Sequence, residues 1–258
     1  MTSPKTPLAK PPIDLSIIIP AYQEAGVITT TLQRLAVWLD EHTYGNVEIV
    51  VVVADSPDGT AKLARAEAKK FKHFQLIEPG ERVGKGRDVR AGILHAHGRY
   101  RLFMDADLAT PLRHLDDVAK LMAEDTDLGI AVRDLAKIHP GFKRRVVSEF
   151  GNILAQIVLL PGLKDTQCGF KVFRADVAEA VFRRLTIMGW GFDLEVLAIA
   201  RKLGYRIRIF EAPDWTDPKA HLAGLSSDSV IDAAMQTFGD LIRVRLNLWS
   251  GAYRSLGK

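Results

Sequence analysis

The chain has a single cysteine, Cys168, so no disulfide can form within it, and such sparing use suits the reducing cytosol. No apolar run approaches the roughly 20 residues that span a bilayer; the nearest, residues 153–163, is broken by Gln156, Pro161 and Gly162. Residues 1–12 hold four prolines and two lysines without an apolar run, which argues against a signal peptide and for a disordered lead-in. Export is not expected. The seven histidines show no metal-ligand spacing, and there is no internal repeat or low-complexity linker. A net charge of +4, scattered along the chain, is too mild to argue for nucleic acid, although a local anionic partner stays open.

What is present is an ordinary globular composition, 47% hydrophobic and 26% charged over 258 residues, enough to build one large α/β domain. Short apolar runs, rich as a set in β-branched residues, at residues 15–19, 49–53, 74–77, 100–104 and 128–132 read as strands. They alternate with helix-length amphipathic segments, a pattern of crossover connections and a mainly parallel sheet. Ile28, Leu32, Leu35 and Leu39 form one helical stripe. Residues 60–70 and 86–95 fit the same role, and Pro111 suits the first position of a helix running to about Met122. Further helices are expected over 146–160, 176–185 and 193–203, with an extended run at 206–211. The expected organisation is a tail at 1–12, a catalytic or binding domain at 13–215 and an amphipathic helical segment at 216–258. In that last segment Met235, Phe238, Ile242 and Trp249 share one side, with Arg243 and Arg245 elsewhere, so it either packs on the domain or lies on a membrane surface.

In parallel α/β sheets ligands bind beyond the carboxyl ends of the strands, which draws attention to the polar residues there. Pro20, Tyr22, Gln23 and Glu24 follow the first strand, Asp55, Ser56 and Asp58 the second, and Asp105-Ala106-Asp107 the fourth. Two carboxylates one residue apart supply hard oxygens suited to Mg2+ or Mn2+, with phosphate oxygens and waters completing the shell. The alternatives are a chance Asp-x-Asp, or Asp107 as a helix cap. Gly84-Lys85-Gly86-Arg87 opens a helix with backbone amides and two cations, a combination that favours an anion. It is not a Walker loop, and a solvated turn is the plainer reading. Lys143-Arg144-Arg145, with Arg133 upstream, suggests a second phosphate site or a solvated charge run, since cations before a helix are disfavoured without an anion. Asp193 is either the N-cap of its helix or a carboxylate that orients or deprotonates a hydroxyl. Cys168, apolar-flanked and without a nearby His, reads as a packed structural thiol.

Four blocks in order carry a family resemblance: residues 84–92 (Gly-Lys-Gly-Arg-Asp-Val-Arg-Ala-Gly), 103–111 (Phe-Met-Asp-Ala-Asp-Leu-Ala-Thr-Pro), 165–171 (Asp-Thr-Gln-Cys-Gly-Phe-Lys) and 189–193 (Gly-Trp-Gly-Phe-Asp). Over residues 15–253 the chain resembles the family-2, GT-A-fold inverting glycosyltransferases, on the dolichyl-phosphate or polyprenyl-phosphate glucosyltransferase branch. The resemblance implies a mixed, mainly parallel sheet flanked by helices, with a Rossmann-like nucleotide-binding half and an acceptor-binding half. It implies that Pro20, Tyr22 and Glu24 border the nucleoside, that Lys85 lies near the nucleotide, and that Asp105, Ala106 and Asp107 engage the metal and diphosphate. Arg133, Arg145 and Ser148 match positions near an acceptor phosphate, and Gln167, Trp190 and Asp193 fall on the acceptor side of the sugar. Where the family usually has Asp-Asp-Gly-Ser, this chain reads Val53-Ala54-Asp55-Ser56, so a base-binding carboxylate is either displaced to Asp55 or lost.

The implied activity is transfer of glucose from UDP-glucose to a polyprenyl phosphate with inversion, aided by Mg2+ or Mn2+. Alternatives are transfer to a hydroxyl of a small acceptor with Asp193 as base, a non-catalytic nucleotide-sugar or membrane-surface module, and a nucleotidyltransferase. The expected setting is cytoplasmic, with peripheral contact at the inner face of the membrane, no nucleic acid partner, and a homodimer left open.

Overall fold

The computed structural model describes residues 13–134, 159–163, 165–216 and 227–254, with side chains in the last stretch from Phe238 onward. A seven-stranded sheet forms the centre. In chain order its strands are β1 (Leu15–Pro20), β2 (Val47–Val52), β3 (His73–Ile77), β4 (Tyr100–Met104), β5 (Leu128–Arg133), β6 (Phe170–Arg174) and β7 (Ile207–Ala212). Their spatial order is β3-β2-β1-β4-β6-β5-β7. All pairs are parallel except those of β6, which runs antiparallel to both β4 and β5. The helices are α1 (Ile28–Glu41), α2 (Thr60–Glu67), α3 (Lys85–His95), α4 (Leu115–Ala123), α5 (Ala175–Phe182), α6 (Phe192–Lys202) and α7 (Ser227–Ser250).

The central strands are apolar along both faces because helices cover both, as parallel sheets require. Ile18 and Phe103 point into one core layer with Val89 and Ile93 of α3 and Phe192 of α6. Ile17, Ile19 and Leu102 point into the other, with Leu32 and Leu35 of α1 and Val118 of α4. The side-chain period of two thus assigns alternate residues of one strand to opposite layers. No described helix is long and apolar enough to cross a membrane.

Two expectations change. Pro111 does not open a helix: its backbone is extended, a 3-10 turn follows at Leu112–His114, and α4 starts only at Leu115. Within the 165–171 block, the last two residues begin strand β6, which apolar alternation did not reveal because Lys171, its second residue, is wholly buried. The helix expected over 146–160, and with it Arg145 and Ser148, lies outside the described residues apart from Leu159 and Leu160.

Candidate active site

From β1 the chain runs outward through β2 to β3, whereas β4 lies on the opposite side of β1. The gap between the carboxyl ends of β1 and β4 is therefore a topological switch point, the place where open α/β sheets take ligands. Asp105-Ala106-Asp107 leaves β4 there. Antiparallel β6 brings its preceding loop to the same edge, where the Gly169 carbonyl accepts the Asp105 N–H at 3.2 Å. A side chain at 169 would occupy the space of the Asp105 carboxylate, so glycine is needed for this approach.

Lys85, the first residue of α3, reaches Asp105 Oδ1 at 2.5 Å and lies 5.2 Å from the centre of the Trp190 ring. Burial alone would lower the pKa of its ammonium, but Asp105 and Asp193 outweigh that and hold it above the ordinary lysine value. The Gly84-Lys85-Gly86 turn is pressed against the 187–191 loop. A Cβ at Gly86 would stand 2.6 Å from the Phe192 Cβ and 2.9 Å from the Ile187 carbonyl. Asp107 Oδ1 accepts the Ala109 N–H at 3.1 Å, a local turn rather than a helix cap.

Two buried ion pairs stand behind this surface. Lys171 Nζ donates to Asp193 Oδ1 and to the Cys168 carbonyl, both at 2.5 Å, with neither side chain more than marginally exposed. Asp193 is not the N-cap of α6. Gly191 holds that place, and the carboxylate is directed to Lys171 instead. Burial pushes the Asp193 carboxyl above its ordinary range against the pull of Lys171 and Lys85. Arg133, the last residue of β5, forks onto Asp165 through Nε at 2.7 Å and Nη2 at 2.9 Å, while its backbone N–H bonds the same carboxylate. Burial would raise the Asp165 pKa, but the Arg133 fork outweighs it and keeps the carboxyl below its usual value. Cys168 is fully buried beside Thr110, and burial pushes its thiol up to about 11, which suits a packed structural residue.

The β1 and β2 loops are tied together by Ser56, Asp58 and Thr60, a clamp that the sequence did not reveal. Ser56 Oγ, Thr60 Oγ1 and Asp58 Oδ2 accept the successive backbone N–H groups of Gln23, Glu24 and Ala25. Short oxygen-bearing side chains on a tight turn can present acceptors this way, and the Ser-Pro-Asp-Gly-Thr composition of residues 56–60 was the available signal. Gln23 takes the left-handed conformation, with φ of 55°. Tyr22 carries the Arg82 guanidinium 3.7 Å over its ring. Asp55 is exposed, and its N–H bonds the Gly80 carbonyl. Arg87 spans from α3 to the carbonyls of Pro79 and Glu81, fixing the loop that carries Arg82.

The structure thus gathers Lys85, Asp105, Trp190 and Asp193, with the Arg133 fork beside them. Pro20, Tyr22, Glu24 and Asp55 form the β1 and β2 side of the edge. Ala106 is buried, its carbonyl bonded by Thr31 Oγ1 at 2.5 Å, so it contributes through backbone position. Gln167 is exposed, with its N–H on Asp165. Among the described residues no three His, Cys, Asp or Glu side chains form a self-sufficient metal site. Asp105 and Asp107 do match the one or two carboxylates with which Mg2+ is commonly held when substrate phosphates supply the remaining oxygens.

This architecture, a mixed sheet with a carboxylate pair at its switch point, has the GT-A glycosyltransferase fold. A crystal structure of glucosyl-3-phosphoglycerate synthase from Mycobacterium tuberculosis, bound to Mn2+, uridine diphosphate and phosphoglyceric acid, superposes with a TM-score of 0.67. It covers 90% of this chain and 78% of that one at 18% identity. Mannosyl-3-phosphoglycerate synthase from Rubrobacter xylanophilus gives 0.68 over 95% of this chain and 77% of that one, at 15% identity. The family model for glycosyl transferase family 2 matches residues 16–182, and the chain belongs to that family. It is 30% identical to the dolichyl-phosphate beta-glucosyltransferase ALG5D of Trichomonas vaginalis, over 95% of this chain and 78% of that protein. It is 32% identical to the dolichyl-phosphate beta-glucosyltransferase of Dictyostelium discoideum, over 95% and 79% respectively.

Proposed function

We propose that this chain transfers glucose from UDP-glucose to the phosphate of a polyprenyl phosphate, with inversion at the anomeric carbon, using residues 13–215 as its transferase domain. The observation that carries the reading is the Lys85, Asp105 and Asp107 group at the switch point. The relatives named above, which are dolichyl-phosphate beta-glucosyltransferases, support the acceptor class and the β-linkage.

Asp105 and Asp107 would hold a bound Mg2+ or Mn2+, which supplies Lewis-acid neutralisation of the diphosphate leaving group. Lys85 adds fixed positive charge at the same place and holds the Asp105 carboxylate in position. Tyr22 and Arg82 border the nucleoside, with Pro20, Glu24 and Asp55 along the same edge. On the acceptor side stand Trp190 and Gln167, and Arg133 offers Nη1, the nitrogen outside its fork with Asp165. Arg145 and Ser148 are assigned to the acceptor phosphate by resemblance alone.

A phosphate monoester loses its second proton at roughly pH 6, so such an acceptor is already nucleophilic at neutral pH. This matches the state of Asp193, whose carboxylate is buried and bonded to Lys171. An acceptor that needs no deprotonation places no catalytic demand on it.

The test is a donor-by-acceptor screen of the purified chain with Mg2+ or Mn2+, offering UDP-glucose with a short polyprenyl phosphate or with assorted alcohols. The expected product is polyprenyl glucosyl phosphate, formed by the wild type and not by Asp107→Asn. Transfer confined to alcohols would overturn the reading.

A further inference from the structure

The C-terminal helix α7 packs one side against the domain and leaves a second side uncovered. Leu241 and Val244 are buried, and Asn247 bonds both Thr186 and Tyr253. Tyr253, just past the helix, donates to the buried carboxylate of Glu195 at 2.6 Å. Asp240 rests on Gly191, where a Cβ would collide with its carboxylate. These contacts anchor α7 directly beside Trp190, the ring that covers Lys85.

The other side is apolar and exposed. Phe238 and Ile242 are 46% exposed, Leu246 54% and Trp249 74%. At about 100° per residue these four fall within an arc of about 80°. They form a stripe rather than scattered surface residues. Stripes of this kind mark a surface that meets something else.

The charges decide what that is. From Phe238 to Arg254 the cations are Arg243, Arg245 and Arg254, all exposed; the acid of that stretch, Asp240, rests on Gly191 and interacts with Arg243, so cations outnumber acids there. The guanidinium of Arg245 lies 5.2 Å from the ring centre of Trp249, one turn further along the helix, so cation and aromatic are neighbours on the surface. An apolar stripe flanked by arginines, with tryptophan at its edge, complements the boundary between acyl chains and anionic headgroups. A second copy of this chain would instead have to bring the same arginines together.

We infer that the exposed face of α7 is a membrane-surface docking site, which lies on anionic lipid and sets the Trp190 side of the catalytic crevice at the bilayer. The inference rests on the polyprenyl-phosphate reading for its purpose, because such an acceptor carries its phosphate at the lipid surface. Binding itself can be measured without donor or acceptor.

The experiment is co-sedimentation of the full chain with vesicles of phosphatidylcholine alone or with phosphatidylglycerol added. Binding to the anionic vesicles is expected, and Ile242→Glu/Leu246→Glu should weaken it by about tenfold or more, the factor that 1.4 kcal/mol represents. Arg243→Glu/Arg245→Glu should remove the preference for anionic lipid. All four positions are exposed, so circular dichroism and turnover of a detergent-dispersed short-chain acceptor should stay at wild-type levels. Absence of wild-type binding to either vesicle would overturn the inference, as would binding indifferent to both double variants. A dimer in sedimentation velocity that Ile242→Glu/Leu246→Glu dissolves, without vesicle binding, would make the stripe a subunit seam and also overturn it. Vesicle binding with no transfer to polyprenyl phosphate would support the docking face while refuting the proposed acceptor.

Discussion

Replacing Lys171 by Met should be among the most destabilising single changes in the described structure, and the reason is the company its ammonium keeps. Lys171 is wholly buried, Asp193 is 3% exposed, and the two side chains meet at 2.5 Å. Removing the cation leaves a buried carboxylate without its hydrogen-bonded partner, with only the more distant Lys85 to offset it, a change of a kind that costs about 3–5 kcal/mol. The Cys168 carbonyl loses its donor as well, and an unsatisfied buried acceptor adds about 1–3 kcal/mol. For a domain of this size each kcal/mol lowers the melting temperature by roughly 2–4 °C, so a fall of at least about 6 °C is expected. The double variant Lys171→Met/Asp193→Leu removes both charges and should recover much of the loss, with a coupling energy of at least about 2 kcal/mol in a double-mutant cycle followed by urea unfolding. A loss below about 1 kcal/mol for Lys171→Met, or strict additivity in the cycle, would refute the pairing argument. The same reasoning governs any test of Asp193 as a base. Asp193→Asn leaves Lys171 without its counter-charge, so lost turnover indicates base catalysis only if stability is retained and the acid limb of the pH profile disappears.

Gly169→Ala should retain the fold but displace the Asp105 carboxylate, and a misplacement of that kind can lower turnover about 100-fold. Steady-state kinetics beside a melting curve checks this, and wild-type turnover would sink it. Native Cys168, with its thiol raised to about 11, should react with a thiol reagent at pH 8 far more slowly than the urea-unfolded chain. Equal rates would contradict its burial. The Asp165 carboxyl is held below its unfolded value of 3.8, so its stabilising contribution is complete above that value and is lost as pH falls through the folded one. Asp165→Asn should therefore flatten the stability curve on the acid side, measured by urea unfolding at a series of pH values; an unchanged acid limb would argue against the Arg133 fork.

Much of this architecture was legible before any coordinates. The runs at residues 15–19 and 100–104 are short and mostly apolar, which is what a strand buried on both faces requires, and β1 and β4 fall there. The stripe of Ile28, Leu32 and Leu35 became the buried side of α1. Asp105, Asp107 and Lys85 could be picked out as candidate site residues because carboxylates at a strand end and a cation opening a helix are local patterns. Strand β6 was not legible, since Lys171, its second residue, reads as polar until Asp193 is known to lie against it. The clamp of Ser56, Asp58 and Thr60 on residues 23–25 was missed because its partners are more than 30 residues away.

The sequence by itself therefore determined the segments of β1 to β5 and β7, which helices are amphipathic, and which residue types stand at the carboxyl ends of β1, β2 and β4. Those are consequences of periodicity and of short-range spacing, which act along the chain. Only the tertiary structure decided that Lys85 meets Asp105, that Lys171 rather than a helix cap claims Asp193, that Arg133 is forked onto Asp165, and that the apolar stripe of α7 stays uncovered beside Trp190. Each of those depends on strand order, on the antiparallel register of β6, or on which helix face the core had room to cover. Such properties arise from packing at long range, and no local pattern carries them.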